Sequence, residues 1–360
     1  MTRAARGPAI DVLLPVRGAR RTLPFALADV LAQRGVDVRI IAIVDGAAGD
    51  ASLAWLDQRA RREPRLLVLA GPGRGAGAAL DVGLAAVRSD FFSHMEADDR
   101  CPPDRLARLH AALHPGHPGH TGLHGAATVV RPAAVVSRAA QFGARTPGMR
   151  RYLDWQNALL DAEAMESSCF LEIPALHQTG LYDTAAVRAI GGYTPAGPWP
   201  LDIDFWMRWF DRDRDVRRVT VKLPRVLYRW RQHAAQSTRA GSAGGTHSLE
   251  ALRACKAFYL ARTLGRHGRH PRPVLLLSTG RTLHAWHDAL AGNDVDVAAA
   301  LEWRPGHPLP ATLLDAVRQQ QSRDTDLPLV LAAYGMAPAR ARLTAALSAA
   351  GLRSAPFWIA

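Results

Sequence analysis

Three carboxylates lie within four residues in the segment Glu96-Ala97-Asp98-Asp99, shortly after the apolar pair Phe91-Phe92. Like charges this close repel each other and raise one another's pKa unless a cation neutralises them. Oxygen-rich clusters suit hard divalent cations such as Mg²⁺ or Mn²⁺, which also bind diphosphates. The segment therefore indicates either a site for a metal ion and a diphosphate or a solvated acidic turn before a helix that starts near Asp104.

The elements that must position this segment are alternating strands and helices. Apolar runs predict the strands, and apolar residues at helical spacing predict the helices between them. The predicted strands are 10–15, 38–44, 66–69 and 91–94, and the predicted helices are 21–34, 51–62 and 78–87. This order predicts an α/β domain whose mostly parallel sheet is flanked by helices.

Ligands of such sheets bind outside the carboxyl ends of the strands. Val16-Arg17, Asp45, the glycine-rich segment 71–77 and the acidic segment all follow predicted strands. The glycine-rich segment has neither P-loop nor dinucleotide-binding spacing, so we interpret most of its glycines as forming a turn. The common position of these segments favours a ligand site over a solvated acidic turn.

A second, smaller α/β unit is predicted towards the C-terminus. Its predicted strands are 274–277, 295–301 and 329–333, and its predicted helices are 281–291, 312–321 and 338–350. We predict a first domain over 1–240, a helical connector over 241–270 and a Rossmann-like domain over 271–360. The turn that starts at Ser278 keeps only Gly280 of the G-x-G-x-x-G pattern, so no NAD is expected there.

The net charge of +13 comes almost wholly from arginine, because Lys222 and Lys256 are the only lysines among 45 basic residues. The excess charge is explained either by an arginine-rich composition of genomic origin or by an anionic ligand such as a nucleotide, an acidic glycan or a nucleic acid. Basic runs with interleaved aromatic residues are absent from the sequence, so nucleic-acid binding is not expected.

Other sequence features concern the compartment. The three cysteines have no metal or disulfide spacing, which fits a reducing cytosol. Neither a secretory signal nor an apolar run of transmembrane length is found in the sequence. We therefore expect a cytoplasmic protein and leave open a peripheral contact with the inner face of the membrane. We interpret five histidines as part of a Pro/Gly-rich loop rather than a metal site: His110, His114, His117, His120 and His124.

Six blocks, in order over roughly residues 9–240, resemble the family 2 glycosyltransferases, which have a GT-A fold. The blocks are DVLLPVRGARRTLPFALADVLAQ, GRGAGAALDVGLAAV, MEADDRCPPDRLARL, HQTGLYDTAAVRAIGGY, WPLDIDFWMRW and LPRVLYRWRQHAAQSTR. The segment GMRRYLDWQNALL and the second α/β unit also resemble a bacterial subgroup related to the β-1,3-N-acetylglucosaminyltransferase-like proteins of animals. In that subgroup a Rossmann-like tail follows the transferase.

This resemblance implies inverting transfer of a sugar from a nucleoside-diphosphate donor, with UDP-sugars favoured, to a hydroxyl of a glycan or lipid-linked acceptor. It implies Mn²⁺ or Mg²⁺ at Asp98 and Asp99, and Asp202 as the general base. Asp202 is also a suitable N-cap for a helix over 203–210, whereas Asp204 is expected to be structural. The resemblance further implies contacts with the nucleotide sugar from Pro15, Val16, Arg17, Asp45, Arg74, Glu96, Ala97, Asp98, His177, Arg229, Arg231 and His233.

Three positions depart from the family pattern. Glu96 stands where the family usually has Asp, Leu201 replaces the acid that precedes the catalytic Asp, and Asp45 is a single acid where the family has two. These departures motivate an alternative, a non-catalytic relative that binds a nucleotide or a protein partner. The charge of +13 motivates a third hypothesis, a protein that binds anions or nucleic acid.

Overall fold

The computed structural model describes most of the chain. The described residues are 7–46, 50–114, 117, 131–144, 146–211, 219–233, 236, 248–265, 273–315, 329–351 and 356–360. Packing divides the chain into two compact units. The first unit comprises 1–167, 173–196 and 204–244, and the second comprises 168–172, 197–203 and 245–360.

A seven-stranded sheet forms the centre of the first unit. Its strands are β1 (Ala9–Val16), β2 (Asp37–Val44), β3 (Leu66–Ala70), β4 (Phe91–His94), β5 (Ala134–Gly143), β6 (Leu181–Asp183) and β7 (Thr220–Gln232), in the order β3-β2-β1-β4-β6-β5-β7. Strands β1 to β4 run parallel, β6 is antiparallel to β4 and β5, and β7 runs parallel to β5. The four strands predicted before the acidic segment are confirmed, as is the mostly parallel sheet.

Helices connect and cover these strands. They are α1 (Leu23–Leu31), α2 (Ala51–Ala60), α3 (Ala76–Ala86), α4 (Arg105–Ala111), α5 (Pro147–Ala158), α6 (Ala162–Ser168), α7 (Thr184–Ala189) and α8 (Leu201–Trp209), with a 3-10 turn at His177–Thr179. Side-chain caps fix where several begin: Asp50 accepts the Ser52 N–H at 2.8 Å, and Asp183 accepts the Ala186 N–H at 2.9 Å. His110, which was predicted to lie in a loop, is instead in the last turn of α4.

The core of the first unit lies on both faces of β1 and β2. Nearly every residue of β1 is buried, as expected for a parallel strand with helices on both sides. At Gly83 of α3, a Cβ would lie 2.7 Å from Ile43 Cδ1 and 2.9 Å from Leu13 Cδ2. Glycine therefore lets α3 pack closely on the sheet.

The second unit contains a four-stranded parallel sheet. Its strands are β8 (Val274–Ser278), β9 (Val297–Glu302), β10 (Leu329–Ala333) and β11 (Phe357–Ile359), in the order β11-β10-β8-β9, and its helices include α9 (Leu249–Gly265), α10 (Gly280–Ala291) and α11 (Ala337–Ala349). Chain order reverses at β8, as in doubly wound α/β folds. Leu276, Trp286 and Leu331 are buried at its centre. The predicted second α/β unit is therefore present.

Some predicted features fall outside the described residues. These are the domain boundaries near 240 and 270, His120, His124 and the part of the helix over 312–321 that follows residue 315. All three cysteines are buried, and none of them forms a disulfide bond. In the described part of the chain, every helix is too short or too polar to cross a membrane.

Candidate active site

The acidic segment, residues 96–99, forms a loop directly after β4 and is called the acidic loop below. A turn closes it, because the Asp99 N–H donates to the Glu96 carbonyl at 3.3 Å. Since β1, β2 and β4 are parallel, their carboxyl ends lie at one edge of the sheet. The acidic loop therefore lies at the edge where ligands of such sheets bind.

Asp99 is the buried member of the acidic loop, with 1% of its surface exposed. Its Oδ2 accepts the Tyr228 hydroxyl at 2.7 Å, and its Oδ1 accepts the Arg231 backbone N–H at 2.6 Å. Burial and, after it, the nearby charge of Asp98 hold the pKa of Asp99 well above its usual range. Both oxygens are thus engaged within the protein, which does not favour the predicted metal ligation by Asp99.

The end of β7 holds the acidic loop in place. Arg229 and Arg100 exchange two backbone hydrogen bonds, of 2.8 and 3.1 Å. Arg231 Nε donates to the Asp98 carbonyl at 2.6 Å, and its guanidinium lies 4.4 Å from the centre of the Phe142 ring. The Tyr228 hydroxyl also accepts the Glu96 N–H at 3.2 Å. These contacts bring residues that are far apart in sequence to one edge of the sheet.

Asp98 and His233 form a pair at this edge. Asp98 Oδ2 lies 2.8 Å from His233 Nε2, and the two side chains are 28% and 39% exposed. Gln236 supports the pair, because its Oε1 accepts the His233 N–H at 3.2 Å and its Nε2 donates to the Arg231 carbonyl at 2.6 Å. A carboxylate and an imidazole that lie this close and are open to solvent can bind a divalent cation together.

Glu96 lies at the same edge but is directed towards a histidine. Its Oε1 is 3.2 Å from Nε2 of the buried His94, and its side chain is 33% exposed. Burial and, after it, the charge of Asp98 raise the pKa of Glu96 to about 8. Its predicted role in donor binding stays a prediction.

Asp45 is placed at the end of β2, as predicted, but its carboxylate has partners within the protein. It accepts the Gly73 N–H at 2.6 Å and the Gly75 N–H at 2.9 Å, and the residue is 5% exposed. Asp45 therefore holds the glycine-rich segment in its turn, in agreement with the interpretation of that segment as a turn. Its predicted contact with a base is untested.

The remaining predicted contacts are distributed as follows. Pro15 and Val16 are buried at the end of β1, and Ala97 is buried within the acidic loop, whereas Arg17, Arg74 and Arg229 are exposed. His177 is 6% exposed, and its ring lies 4.8 Å from that of His94. The structure thus gives the exposed arginines a position at or near the strand ends without assigning them a ligand.

The two acids of α8 differ. Asp204 is fully buried, is bonded to Arg208 Nε at 2.7 Å and accepts the Ala196 N–H at 3.3 Å, so the prediction that it is structural is confirmed. Asp202 lies in the first turn, is partly exposed and accepts the Ile203 N–H at 2.9 Å. The helix dipole favours a carboxylate there. Its role as general base stays a prediction.

Two functional neighbours were missed by the sequence reasoning. Tyr228 bridges Asp99 and Glu96, and Arg105 is a buried guanidinium that donates to the carbonyl oxygens of His94 at 3.1 Å and Gln178 at 2.6 Å. Both residues lie inside the blocks that resemble the family, but their types alone did not indicate contact with the acidic loop. The pairing of the end of β7 with this loop, which places Tyr228, is a long-range event without a local signal.

Comparisons with known proteins agree with this description. Residues 11–122 match the family model described as "Glycosyl transferase family 2". The "Succinoglycan biosynthesis protein ExoO" of Rhizobium meliloti (strain 1021) is 31% identical over 103 residues, which is 28% of this chain and 29% of that protein. EpsH of Bacillus subtilis (strain 168) is 29% identical over 102 residues, again 28% of this chain and 29% of that protein. The chain thus matches less than a third of the length of these relatives.

A solved structure is similar over more of the chain. The crystal structure of S. aureus TarS 1-349 in complex with UDP-GlcNAc aligns with a TM-score of 0.53 at 14% identity, over 79% of this chain and 80% of that one. At this identity the likeness concerns the fold, and the predicted GT-A fold is confirmed.

Proposed function

We propose that this chain, whose residues 11–122 match the family model of the family 2 glycosyltransferases, transfers a sugar from a nucleoside-diphosphate donor to an acceptor hydroxyl. The observation that carries the proposal is the Asp98–His233 pair, with 2.8 Å between Oδ2 and Nε2, at the carboxyl edge of a parallel sheet. Asp99, Tyr228 and Arg231 fix the loop behind this pair. The edge thus offers partly exposed charged groups on a rigid support, as a binding site requires.

The donor set fits a divalent metal. Asp98 supplies carboxylate oxygen and His233 supplies imidazole nitrogen. This combination suits Mn²⁺ better than Mg²⁺, which prefers oxygen ligands alone, in a site completed by water and phosphate oxygens. We therefore propose Asp98 and His233 as the ligands and give Asp99 the role of positioning the loop. When bound, the metal neutralises the charge of the diphosphate leaving group. The exposed Arg229 is available at the same edge for a phosphate oxygen.

Asp202 is our candidate for the base. The acceptor oxygen forms a bond to the anomeric carbon while the bond from that carbon to the diphosphate oxygen breaks, and Asp202 takes the acceptor proton. A single displacement of this kind inverts the configuration of the sugar. The Ile203 N–H occupies Oδ1 of Asp202, so Oδ2 is the oxygen we assign to the proton.

We propose a UDP-sugar as donor and a glycan as acceptor. Support for the donor comes from the sequence resemblance and from the TarS structure of similar fold, which contains UDP-GlcNAc. Support for the acceptor comes from ExoO, whose name places it in succinoglycan biosynthesis.

Calorimetric titration of UDP, GDP, dTDP and CDP, with Mn²⁺ and with EDTA, tests the binding part of this proposal. We expect Mn²⁺-dependent binding of UDP, and about tenfold weaker binding in His233→Gln because one metal ligand is lost. Asp104→Asn is the matched control, since Asp104 is an exposed acid paired with Arg108 on the surface of α4. Equal binding in EDTA, or no binding of any nucleotide, would contradict the proposed site.

Turnover separates catalysis from binding. In Asp202→Asn we expect the rate of transfer or slow donor hydrolysis to fall about 100-fold or more, with unchanged UDP affinity, because a general base contributes about that much. The absence of the second acid at Leu201 favours one alternative, a relative that binds nucleotide without turnover. Binding of UDP with no turnover in the unmodified chain, across a panel of donors, would support that alternative.

A further inference from the structure

A second group of potential metal ligands includes neither Asp98 nor His233. It shares only Glu96 with the acidic loop. His94 at the end of β4, Glu96 and His177 each offer one ligand atom, and these atoms lie within 4.8 Å of one another. His94 Nε2 and Glu96 Oε1 are 3.2 Å apart. The rings of His94 and His177 have centroids 4.8 Å apart at an angle of 35°. We call this group the histidine cluster.

His94 is the member that most needs a partner. Its side chain is fully buried, neither ring nitrogen makes a hydrogen bond, and the contact with Glu96 is not aligned as one. A buried polar group without a hydrogen bond destabilises the fold. Burial and, after it, the charge of Arg105 lower the pKa of His94 to about 3, so its imidazole is neutral at physiological pH. Neutral imidazole is the form that binds metal ions.

The surroundings of the histidine cluster are aromatic. The Tyr193 ring lies 6.4 Å from that of His94 and 5.9 Å from that of His177, and the Phe205 ring lies 6.2 Å from His177. The Tyr193 hydroxyl is buried and makes no hydrogen bond. A polar group of this kind can bond to a water molecule on a bound metal ion. An apolar wall of this kind also limits the access of solvent to the ligands.

We propose that His94, Glu96 and His177 form a site for a transition-metal ion of the zinc type. Two imidazoles and one carboxylate are a known zinc donor set, with water in the fourth position. Bonds of about 2.1 Å in tetrahedral geometry place ligand atoms about 3.4 Å apart. His94 Nε2 and Glu96 Oε1, 3.2 Å apart, already have about this spacing. The ligand atom of His177 lies within 4.8 Å of the other two, so it has to approach by at most about 1.4 Å.

Charge also distinguishes this site from the Asp98–His233 pair. The Arg105 guanidinium donates to the His94 carbonyl oxygen at 3.1 Å, and its charge opposes a cation. A bound metal ion would displace the proton of Glu96, and the ionised carboxylate would then offset the charge of Arg105. A metal ion here would tie the end of β4 to the turn at His177–Thr179 and would hold Glu96 away from the donor. The inference is independent of the proposed transfer reaction.

Titration of the full chain with Co²⁺, after removal of metals with a chelator, tests this inference. Tetrahedral Co²⁺ absorbs intensely in the visible range, so the readout is spectroscopic and does not need activity. We expect one Co²⁺ per chain with this absorption, displaced by Zn²⁺ and retained in Asp98→Asn. His94→Leu and His177→Leu should remove the absorption or weaken Co²⁺ binding at least about tenfold, as expected for loss of a ligand.

His284→Gln is the matched control, because His284 is an exposed histidine of α10 in the second unit. Circular dichroism and thermal melting verify that each variant is folded. If His94→Leu does not fold, Glu96→Gln, which keeps the shape of the side chain, takes its place. The inference is overturned if the folded chain shows no such absorption, or if the absorption survives in the ligand variants, or if Asp98→Asn and His233→Gln remove it.

Discussion

Acids at the carboxyl ends of the two sheets are in opposite electrostatic situations. In the first unit, burial and then the charge of Asp98 raise the pKa of both Glu96 and Asp99. In the second unit, Glu302 ends β9 and accepts hydrogen bonds from Arg304 Nη2 at 3.0 Å and from the Gly280 N–H at 3.3 Å. These bonds, that from Arg304 foremost, lower the pKa of Glu302.

The difference shows that an acid at a strand end does not by itself indicate a ligand site. At Glu302 an arginine side chain already compensates the charge. At the acidic loop the nearest arginine contacts are of a different kind, because Arg231 donates through Nε to the carbonyl of Asp98 and through its backbone N–H to Asp99. The acidic loop therefore holds acids whose ionised forms are disfavoured, and a bound cation would favour those ionised forms.

The largest expected effect is a loss of UDP affinity, and it tests the difference between the two sheet edges directly. In Asp98→Asn, Mn²⁺-dependent affinity for UDP should fall about 100-fold or more, because a charged metal ligand is lost. Glu302→Gln removes an acid from the equivalent edge of the other sheet and should leave this affinity unchanged within about twofold. Calorimetric titration of UDP into each variant in the presence of Mn²⁺ measures both affinities. Equal losses in the two variants would remove the distinction between the edges.

A smaller effect concerns two buried tyrosines, one in each unit. The Tyr228 hydroxyl makes two hydrogen bonds, to Asp99 and from Glu96, whereas the Tyr334 hydroxyl donates to the Trp303 carbonyl at 2.8 Å. At about 1 kcal/mol per bond, Tyr228→Phe should cost about 2 kcal/mol of unfolding free energy and Tyr334→Phe about 1 kcal/mol.

Urea denaturation measures the two losses. If Tyr228→Phe proved the milder change, the two hydrogen bonds of the Tyr228 hydroxyl would not hold the acidic loop. The transitions of the two units are to be followed with separate probes, because a chain of two units need not unfold in one step.

The smallest effect, when it is taken over a single pH unit, concerns the two lysines of the chain, which are both buried. Lys222 donates to the carbonyls of Gln156 and Pro174, both at 2.6 Å, in the first unit, and Lys256 donates to the Leu171 carbonyl at 2.9 Å in the second. Burial and, after it, the charge of Arg138 lower the pKa of Lys222 from 10.5 to about 7. Burial also lowers the pKa of Lys256, but the charge of Glu172 opposes the shift.

The sign of the pH effect follows from Lys222. Below pH 7 it is charged in both states, and between pH 7 and 10.5 only the unfolded state binds the proton, so stability rises with pH. We expect the free energy of unfolding of the first unit to increase by about 1 kcal/mol per pH unit over this window. Lys222→Met should flatten the slope of this free energy against pH. Lys256→Met is the control, because Lys256 lies in the second unit and its loss should leave the slope of the first unit unchanged. A slope unchanged by Lys222→Met would show that other groups cause it.

Much of the fold could be predicted because its signals are local. Apolar runs gave β1, β2, β3, β4, β8 and β10 to within about two residues, and helical spacing gave the helices between them. The antiparallel insertion of β6 between β4 and β5 had no such signal, since β6 has only three residues. His110 was misplaced in a loop because Pro and Gly nearby obscured the end of α4.

The candidate site could be predicted only in part, because residue types are local information and the contacts of the site are long-range. The acidic loop was identified from its residue types, and Asp204 was recognised as structural. Whether an acid is exposed or enclosed depends on its partners, and those of Asp99 are 129 and 132 positions away. The metal role of Asp99 was implied by the family resemblance, and its buried partners do not favour that role.

The sequence by itself determined the first four strands with the helices between them, the two α/β units and the position of the acidic loop at a strand end, because each depends on neighbouring residues. Only the tertiary structure decided which acid faces solvent. The end of β7 returns to the loop, buries Asp99 under Tyr228 and places His233 beside Asp98, 135 positions away. Burial and pairing depend on contacts between distant segments, and residue types alone do not fix those contacts.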